Sequence, residues 1–401
     1  MSASATIEKP QRPRLKFIDM ARSLAILLML EGHFTGAALA GAYRKEEFLL
    51  YKIWHNIHGL TSPLFFTVTG VIFVYLLSAD NQISFRDNIR VKKGYRRVLE
   101  LLFWGYFIQL NIWSILQSFY YGSKFHLDWF YAFHVLQSIG VGIFFLLGIY
   151  GIFKWIGKGA LHWYYLIAAL LLFVGYAQMK HYIQLDEQAI ADGIQNSPSY
   201  WPNGAPKFIQ NLFFGQFSDF SFMRYSGYTI LGGMLGSLIR TYEQKTREWW
   251  FGTGFIIVGV LISLFIQPIF RELDQFTDMI GLTSKGVYEL NATAFIRFGQ
   301  VVSVLGVFML IDKYVTVSNN LYLKMGQNTL PIYVVHVIIL YGGIFGFGLK
   351  PLVFDENLDP WTSVGISASA IVFFVIMVRY IETLEHYYTR ILDRITFGMR
   401  K

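Results

Sequence analysis

Arg22 and His33 stand eleven positions apart in one apolar stretch, ARSLAILLMLEGH. In a helix, at ~100° and ~1.5 Å per residue, they share a face and lie roughly 16 Å apart along the axis. A guanidinium offers five donors in a fixed fork suited to a phosphate or other anion. A neutral imidazole can take a proton from a hydroxyl or an amine. One helix therefore holds a fixed cation at one level and a titratable base at another, as two ends of one path. The plainer readings are a local Asp19–Arg22 pair at i, i+3 and a histidine bonded to a neighbouring helix. Asp19, Arg22, Glu31 and His33 are all costly to place in hydrocarbon, so their presence in one span points to function.

Further candidates follow along the chain. His55 and His58 stand at i, i+3, with Ser62 next on the same face. No third ligand follows them at a recognisable spacing, so no metal site is expected. Glu31, nine residues from Arg22, points away from the Arg22–His33 face and is expected to meet another helix. Arg96 and Arg97 end a basic run that starts at Arg86. Arg224 and Arg297 fall within later apolar stretches and could hold an acidic or sugar acceptor, or pair with Glu31 or another carboxylate. His336 follows an N-capping pattern, Asn328-Thr329 with Pro331 in the first turn. The glycine groups at 232–236 and 342–348 read as close-packing positions inside apolar helices. P-loop, G-x-S-x-G and H-E-x-x-H patterns are lacking.

These residues must be positioned by membrane helices. Hydrophobic residues make up 54% of 401 positions and charged residues 15%, against about 25% charged in soluble domains. Mean hydropathy is +0.42. Windows of ~20 apolar residues give ten spans, near 17–42, 54–78, 98–119, 131–153, 161–180, 223–240, 249–269, 292–312, 329–349 and 362–383. With both termini cytoplasmic, Lys and Arg favour the inner side more than twofold over the outer side, as the positive-inside rule requires. The expected architecture is an all-α polytopic membrane protein with about ten transmembrane helices in one bundle. Residues 1–16 form a cytoplasmic segment, 17–383 the integral domain with a long outer loop at 181–222, and 384–401 a cytoplasmic tail. A signal peptide would need an apolar core, but Arg22, Glu31 and His33 interrupt it and the apolar stretch runs on to Tyr43. The net charge of +8 lies between apolar segments, where topology explains it without nucleic acid. Cysteine is absent, which excludes disulfides and a thiol nucleophile.

The ordered set IDMARSLAILLM, HGLTSPLFFTVTGVIF, FHVLQSIGVGI, GYTILGGMLG and GQNTLPIYVVH resembles the bacterial relatives of the heparan-alpha-glucosaminide N-acetyltransferase catalytic domain, in the same superfamily as acyltransferase-3 proteins. The resemblance runs from about Arg14 to His336. It implies that acyl-CoA, acetyl-CoA by the likeness, binds from the cytoplasm and that its acyl group passes to an acceptor on the far side, a sugar or glycan. By the resemblance Arg22 matches the family's first-helix arginine and meets the CoA phosphates with Arg96 and Arg97. His33 matches a position that is histidine in acyltransferase-3 proteins and asparagine in the human branch. The human branch places its catalytic histidine just before W-N-G-L-T; here the segment is IHGLT, with His55 displaced by one residue and His58 in place of the asparagine. The base is therefore one of His33, His55 and His58, with Arg224, Arg297 and His336 toward the acceptor. Ser23 replaces the glycine usual after the arginine. The partners expected are the bilayer of a bacterial inner membrane, acyl-CoA and the acceptor, and a homodimer is compatible. The competing readings are a transporter or flippase for an anionic or glycolipid substrate, and a catalytically silent envelope scaffold.

Overall fold

A computed structural model describes residues 15–79, 83–122, 128–193, 200–217, 220–281, 286–317 and 320–383. Most of the segment 1–16 and the whole tail 384–401, both read above as cytoplasmic, lie outside the described residues. The described chain is helical: α1 (Lys16–Ala38), α2 (Leu49–His58), α3 (Thr61–Leu77), α4 (Ile89–Phe107), α5 (Ile112–Tyr121), α6 (Val135–Ile156), α7 (Leu161–Ala191), α8 (Lys207–Phe213), α9 (Phe222–Thr241), α10 (Trp249–Met279), α11 (Val287–Tyr314), α12 (Asn320–Gln327), α13 (Thr329–Tyr341) and α14 (Pro360–Arg379). Among the described residues, six stretches are long and apolar enough to cross a membrane: α2 with α3, α6, α7, α10, α11 and α14. The pair α4 and α5, bent by 44°, makes a seventh if it forms one span. The chain is a multi-pass membrane protein.

The other three stretches read above as spans are α1, α9 and α13, and each has a physical reason to fall short. α1 carries Lys16, Asp19, Arg22 and Glu31. α9 is rich in Gly, Ser, Thr and Tyr. α13 has 13 residues, or roughly 20 Å of helix. All three pack inside the bundle. α1 touches α3, α11, α12, α13 and α14, which is the surrounding a polar membrane helix needs.

Two stretches drawn as continuous spans are broken. The chain leaves α4 at Gln109–Leu110, takes the left-handed conformation at Asn111 (φ 43°), and re-enters a helix. The free N–H groups of α5 are satisfied by Ile344 and Phe345 carbonyls at 2.8 and 3.1 Å and by the Asn111 side chain at 3.0 Å. Those carbonyls belong to the second glycine group, which lies beyond α13. Gly342 ends α13 at φ 89°, so this run forms a turn and does not lie inside a helix. The segment 181–222, read above as a long outer loop, is partly regular, because α7 continues to Ala191 and α8 adds a short helix.

The first glycine group does bring backbones together. A Cβ on Gly232 or Gly236 of α9 would fall on the Thr67 or Val71 carbonyl of α3, and one on Gly70 would fall on the Thr229 carbonyl. Ser23 finds its use in the same way. Its buried hydroxyl donates to the Tyr322 carbonyl at 2.6 Å and accepts from Gly326 N at 3.0 Å, docking α12 on α1.

Gly232→Ala should force α3 and α9 apart and cost about 1–3 kcal/mol, read as a lower unfolding temperature in detergent. Gly148→Ala is the control, since nothing lies within 4 Å of its Cβ position. It should leave that temperature unchanged or raise it, because glycine is a poor helix residue.

Candidate active site

The C-terminal end of α1 is fixed through its carbonyls. The last four carbonyls of a helix have no partner within it. Here Thr35 O accepts from Leu39 N at 2.9 Å and Gly36 O from Arg44 Nη2 at 2.6 Å. Ala37 O and Ala38 O accept from Glu356 N and Leu358 N at 3.3 and 2.9 Å. Arg44 and Lys350 both reach the Glu356 carboxylate, at 3.4 and 2.9 Å. A segment from the far end of the chain thus clasps the turn that carries His33.

Around His33 three further rings converge. Tyr341 Oη lies 3.2 Å from His33 Nδ1. The His336 ring is 5.1 Å from it, centroid to centroid, and the His58 ring 6.4 Å, both edge to face. Gly32 makes room for His58, because a Cβ there would fall within the imidazole. His58 is held from behind by Trp54, stacked at 5.3 Å and 3°. Trp54 donates its indole N–H to Glu31 at 2.7 Å, and Thr35 donates to the same oxygen at 2.9 Å. Glu31 therefore meets α2, as its position on α1 requires. His336 is fully buried. Its ring lies beside the Ile332 and Tyr333 carbonyls without reaching hydrogen-bond geometry with any protein atom. Among the described residues no His, Cys, Asp and Glu side chains are grouped so as to hold a metal.

At the other level of α1 lies a cavity of about 180 Å³, lined by Arg22, Arg97, Thr329 and Tyr333 and by apolar side chains of α3, α4 and α6. Arg22 pairs with Asp19 at 3.9 Å and reaches the Thr329 hydroxyl at 3.3 Å. Arg97 bonds Glu100 at 2.9 Å on the exposed side. Tyr333 lines this cavity and also meets the His336 ring edge to face at 4.9 Å. An unbroken series of ring contacts, Tyr333 to His336 to His33, joins the two-arginine cavity to the histidine cluster.

Residues 15–379 match the acyltransferase-3 family, described as an acyltransferase domain. The chain belongs to that family. No curated protein matches it.

In this acyltransferase the structure brings together some of the residues singled out by sequence and separates others. His33, His58 and His336 form one cluster, so His336, assigned above to the acceptor with Arg224 and Arg297, stands instead beside His33. His55 does not join them: it is exposed and stacks on Tyr51 at 5.7 Å. Arg97 shares the cavity with Arg22, while its neighbour Arg96 is exposed and does not line it. Arg224 lies against Tyr176 and Tyr225, and Arg297 bonds the Asn56 carbonyl and Gln300. Neither of these two meets Glu31. Tyr333, Tyr341 and Trp54 were not found by sequence reasoning. Aromatic residues are too common in this chain to stand out, and their roles depend on contacts with other helices, as far as 308 positions away for Tyr341 and His33.

The clasp on the C-terminal end of α1 gives a pH test. The Lys350 hydrogen bond, with Arg44 adding its charge, holds the Glu356 carboxyl below the usual carboxylate range. A carboxylate depressed in the folded state contributes fully above the ordinary carboxylate pKa, and that contribution is lost as pH falls through the folded value. Wild type should therefore lose unfolding temperature in acid more steeply than Glu356→Gln, by the small amount a half-exposed pair allows. Equal slopes would show that the clasp carriers contribute nothing.

Proposed function

We propose that the chain transfers an acyl group, acetyl in the first instance, from cytoplasmic acyl-CoA to a hydroxyl or amine of a sugar or glycan on the outer side. The observation that carries this reading is the run of rings from the Arg22–Arg97 cavity to His33. The CoA phosphates meet Arg22 and Arg97, with Arg96 at the approach. The pantetheine arm occupies the apolar lining, and the thioester reaches the histidine cluster. In the Nδ1–H tautomer His33 donates to the Tyr341 oxygen, and Nε2 is then the lone-pair nitrogen. That nitrogen takes the acceptor's proton as its oxygen or nitrogen attacks the thioester carbonyl carbon. The C–S bond then breaks, and the proton passes to the departing CoA sulfur. His58, held by Trp54 and Glu31, and the buried His336 wall the imidazole and fix its plane, which keeps the base aligned for attack.

The topology that serves this chemistry has ten crossings: the six long spans, the bent α4–α5 pair, and α1, α9 and α13. Both termini then face the cytoplasm of a bacterial cell whose inner membrane holds the protein. The charge bias of the loops supports this orientation. The likeness to the heparan-alpha-glucosaminide N-acetyltransferase branch supports acetyl as the group moved.

The test is CoA release from labelled acetyl-CoA by protein in inside-out vesicles with envelope sugars present. His33→Ala should lower the rate by ~10²–10⁴-fold, the usual worth of a positioned base, while acetyl-CoA still binds. Arg22→Ala should raise KM for acetyl-CoA more than it lowers kcat. His55→Ala, remote from the cluster, should keep most of the rate. If wild type neither binds nor consumes acyl-CoA, the transferase reading fails and a transport assay becomes the next measurement.

A further inference from the structure

Arg224, in the first turn of α9, is largely buried, and Arg297, in α11, is half-buried. Among the described residues neither pairs with a carboxylate. The Arg224 guanidinium lies over the rings of Tyr176 and Tyr225, at 5.8 and 5.9 Å, and its Nε is buried without a partner. Arg297 donates from Nη1 to the Asn56 carbonyl at 2.8 Å and to Gln300 at 3.0 Å. A Cβ on Gly59 would sit 2.6 Å from its Nη2. Tyr228 stands between the two arginines. It is one turn from Arg224 on α9, and its hydroxyl donates at 3.1 Å to the carbonyl of Ala294, one turn before Arg297. Two guanidiniums thus flank one phenol, and among the described residues their remaining neighbours are neutral groups.

A cation taken from water into a bundle costs several kcal/mol unless an anion compensates it. Phenol rings and amide oxygens supply only part of that compensation. Arginine forks suit an oxyanion above other ligands, because two parallel N–H groups match carboxylate and phosphate geometry. The position decides which substrate this is. Arg297 bonds Asn56 and packs under Gly59, the residues on either side of the last turn that carries His58. The Arg22–Arg97 cavity, which takes the donor's phosphates in the reading above, lies at the opposite end of the ring series. A second cation site at the histidine end belongs to the other substrate.

We propose that the acceptor presents a carboxylate or phosphate oxyanion to Arg224 and Arg297, either as an acidic sugar or on the headgroup of a lipid that carries it. This rests on the acyltransferase reading for the word acceptor, but the anion site itself can be tested without turnover.

The full chain in detergent would be titrated with methyl glucuronide, methyl glucoside and inorganic phosphate, and binding read by the shift in unfolding temperature. In parallel, the chain in nanodiscs of phosphatidylcholine with or without phosphatidylglycerol would be examined by native mass spectrometry for retained lipid. Wild type should bind glucuronide and phosphate and leave the uncharged glucoside unbound if the anion is soluble, or retain phosphatidylglycerol if it is lipid-borne. Arg224→Gln and Arg297→Gln should each weaken that binding by about tenfold or more, as expected on losing a charge-assisted fork, and Arg224→Lys should keep part of it. Acetyl-CoA binding reports that each variant is folded; where Arg224→Gln fails that control, Arg297→Gln decides. Wild type that binds none of these anions, or binding unchanged in the folded variants, overturns the proposal. A chain that binds the anion through these arginines yet never releases CoA would refute the transferase reading and leave the anion site standing. CoA release with an uncharged acceptor, unaffected in Arg224→Gln and Arg297→Gln, would refute the anion site alone.

Discussion

The structure depends on the need to give every polar group of α1 a partner inside the bundle. Lipid offers no hydrogen bonds, so unsatisfied groups in a span cost several kcal/mol each. α1 carries Asp19, Arg22, Ser23, Glu31, His33 and Thr35, and four other helices share the task of meeting them. α12 takes Ser23 through its backbone and Asp19 through Gln327 at 3.5 Å. α13 takes Arg22 through Thr329 and His33 through Tyr341. α2 takes Glu31 through Trp54, and α14 takes Thr35 through Ser367 at 2.6 Å. The central place of α1 thus follows from its polarity, and the arrangement of its neighbours follows from which polar residue each one satisfies.

The same rule explains the breaks. A helix that ends at membrane depth must hand its free N–H or C=O groups to protein. α1 ends where Arg44 and residues 356–358 can receive its carbonyls, and α5 begins where the turn after α13 can receive its amides. Both interruptions lie on the side of the bundle that holds the histidine cluster. Regular helices could not bring α2, the α13 turn and the end of α1 to one place, because side chains on parallel rods meet only along their lengths. The broken elements give up helical hydrogen bonds and gain convergence of residues from four separate segments.

Much of this was legible in the sequence, and the limit of legibility is physical. Local periodicity places Arg22 and His33 on one face and turns Glu31 away from it, because both facts depend only on the geometry of one helix. The GGMLG run on α9 reads correctly as a close-packing surface for the same reason. His336 is different: nothing within α13 announces that it will face His33, some three hundred residues earlier. His55 and His58 show the opposite error. Their i, i+3 spacing suggests a shared role, yet α2 is a short helix at the edge of the bundle, and its small rotation between the two leaves His55 exposed while His58 turns onto Gly32. The second glycine run looked helical because its neighbours are apolar. Its left-handed φ values follow from the turn that serves α5, a partner that lies far away in sequence.

The placement of positive charge then separates two roles that a single count of arginines would merge. Arg22 has Asp19 beside it and Arg97 has Glu100, so the cavity they line is partly neutralised before any ligand arrives. A site of that kind can take an oxyanion and release it again. Among the described residues, Arg224 and Arg297 have rings, a carbonyl and an amide as neighbours and no carboxylate, so an anion would relieve the cost of holding them. That cost makes anion binding there stronger than the contacts alone would suggest, because the free state starts from a higher energy. The two arginine pairs therefore differ in kind: each member of the first carries its own carboxylate, and among the described residues neither member of the second does, so an anion would change the energy of the second pair more than that of the first.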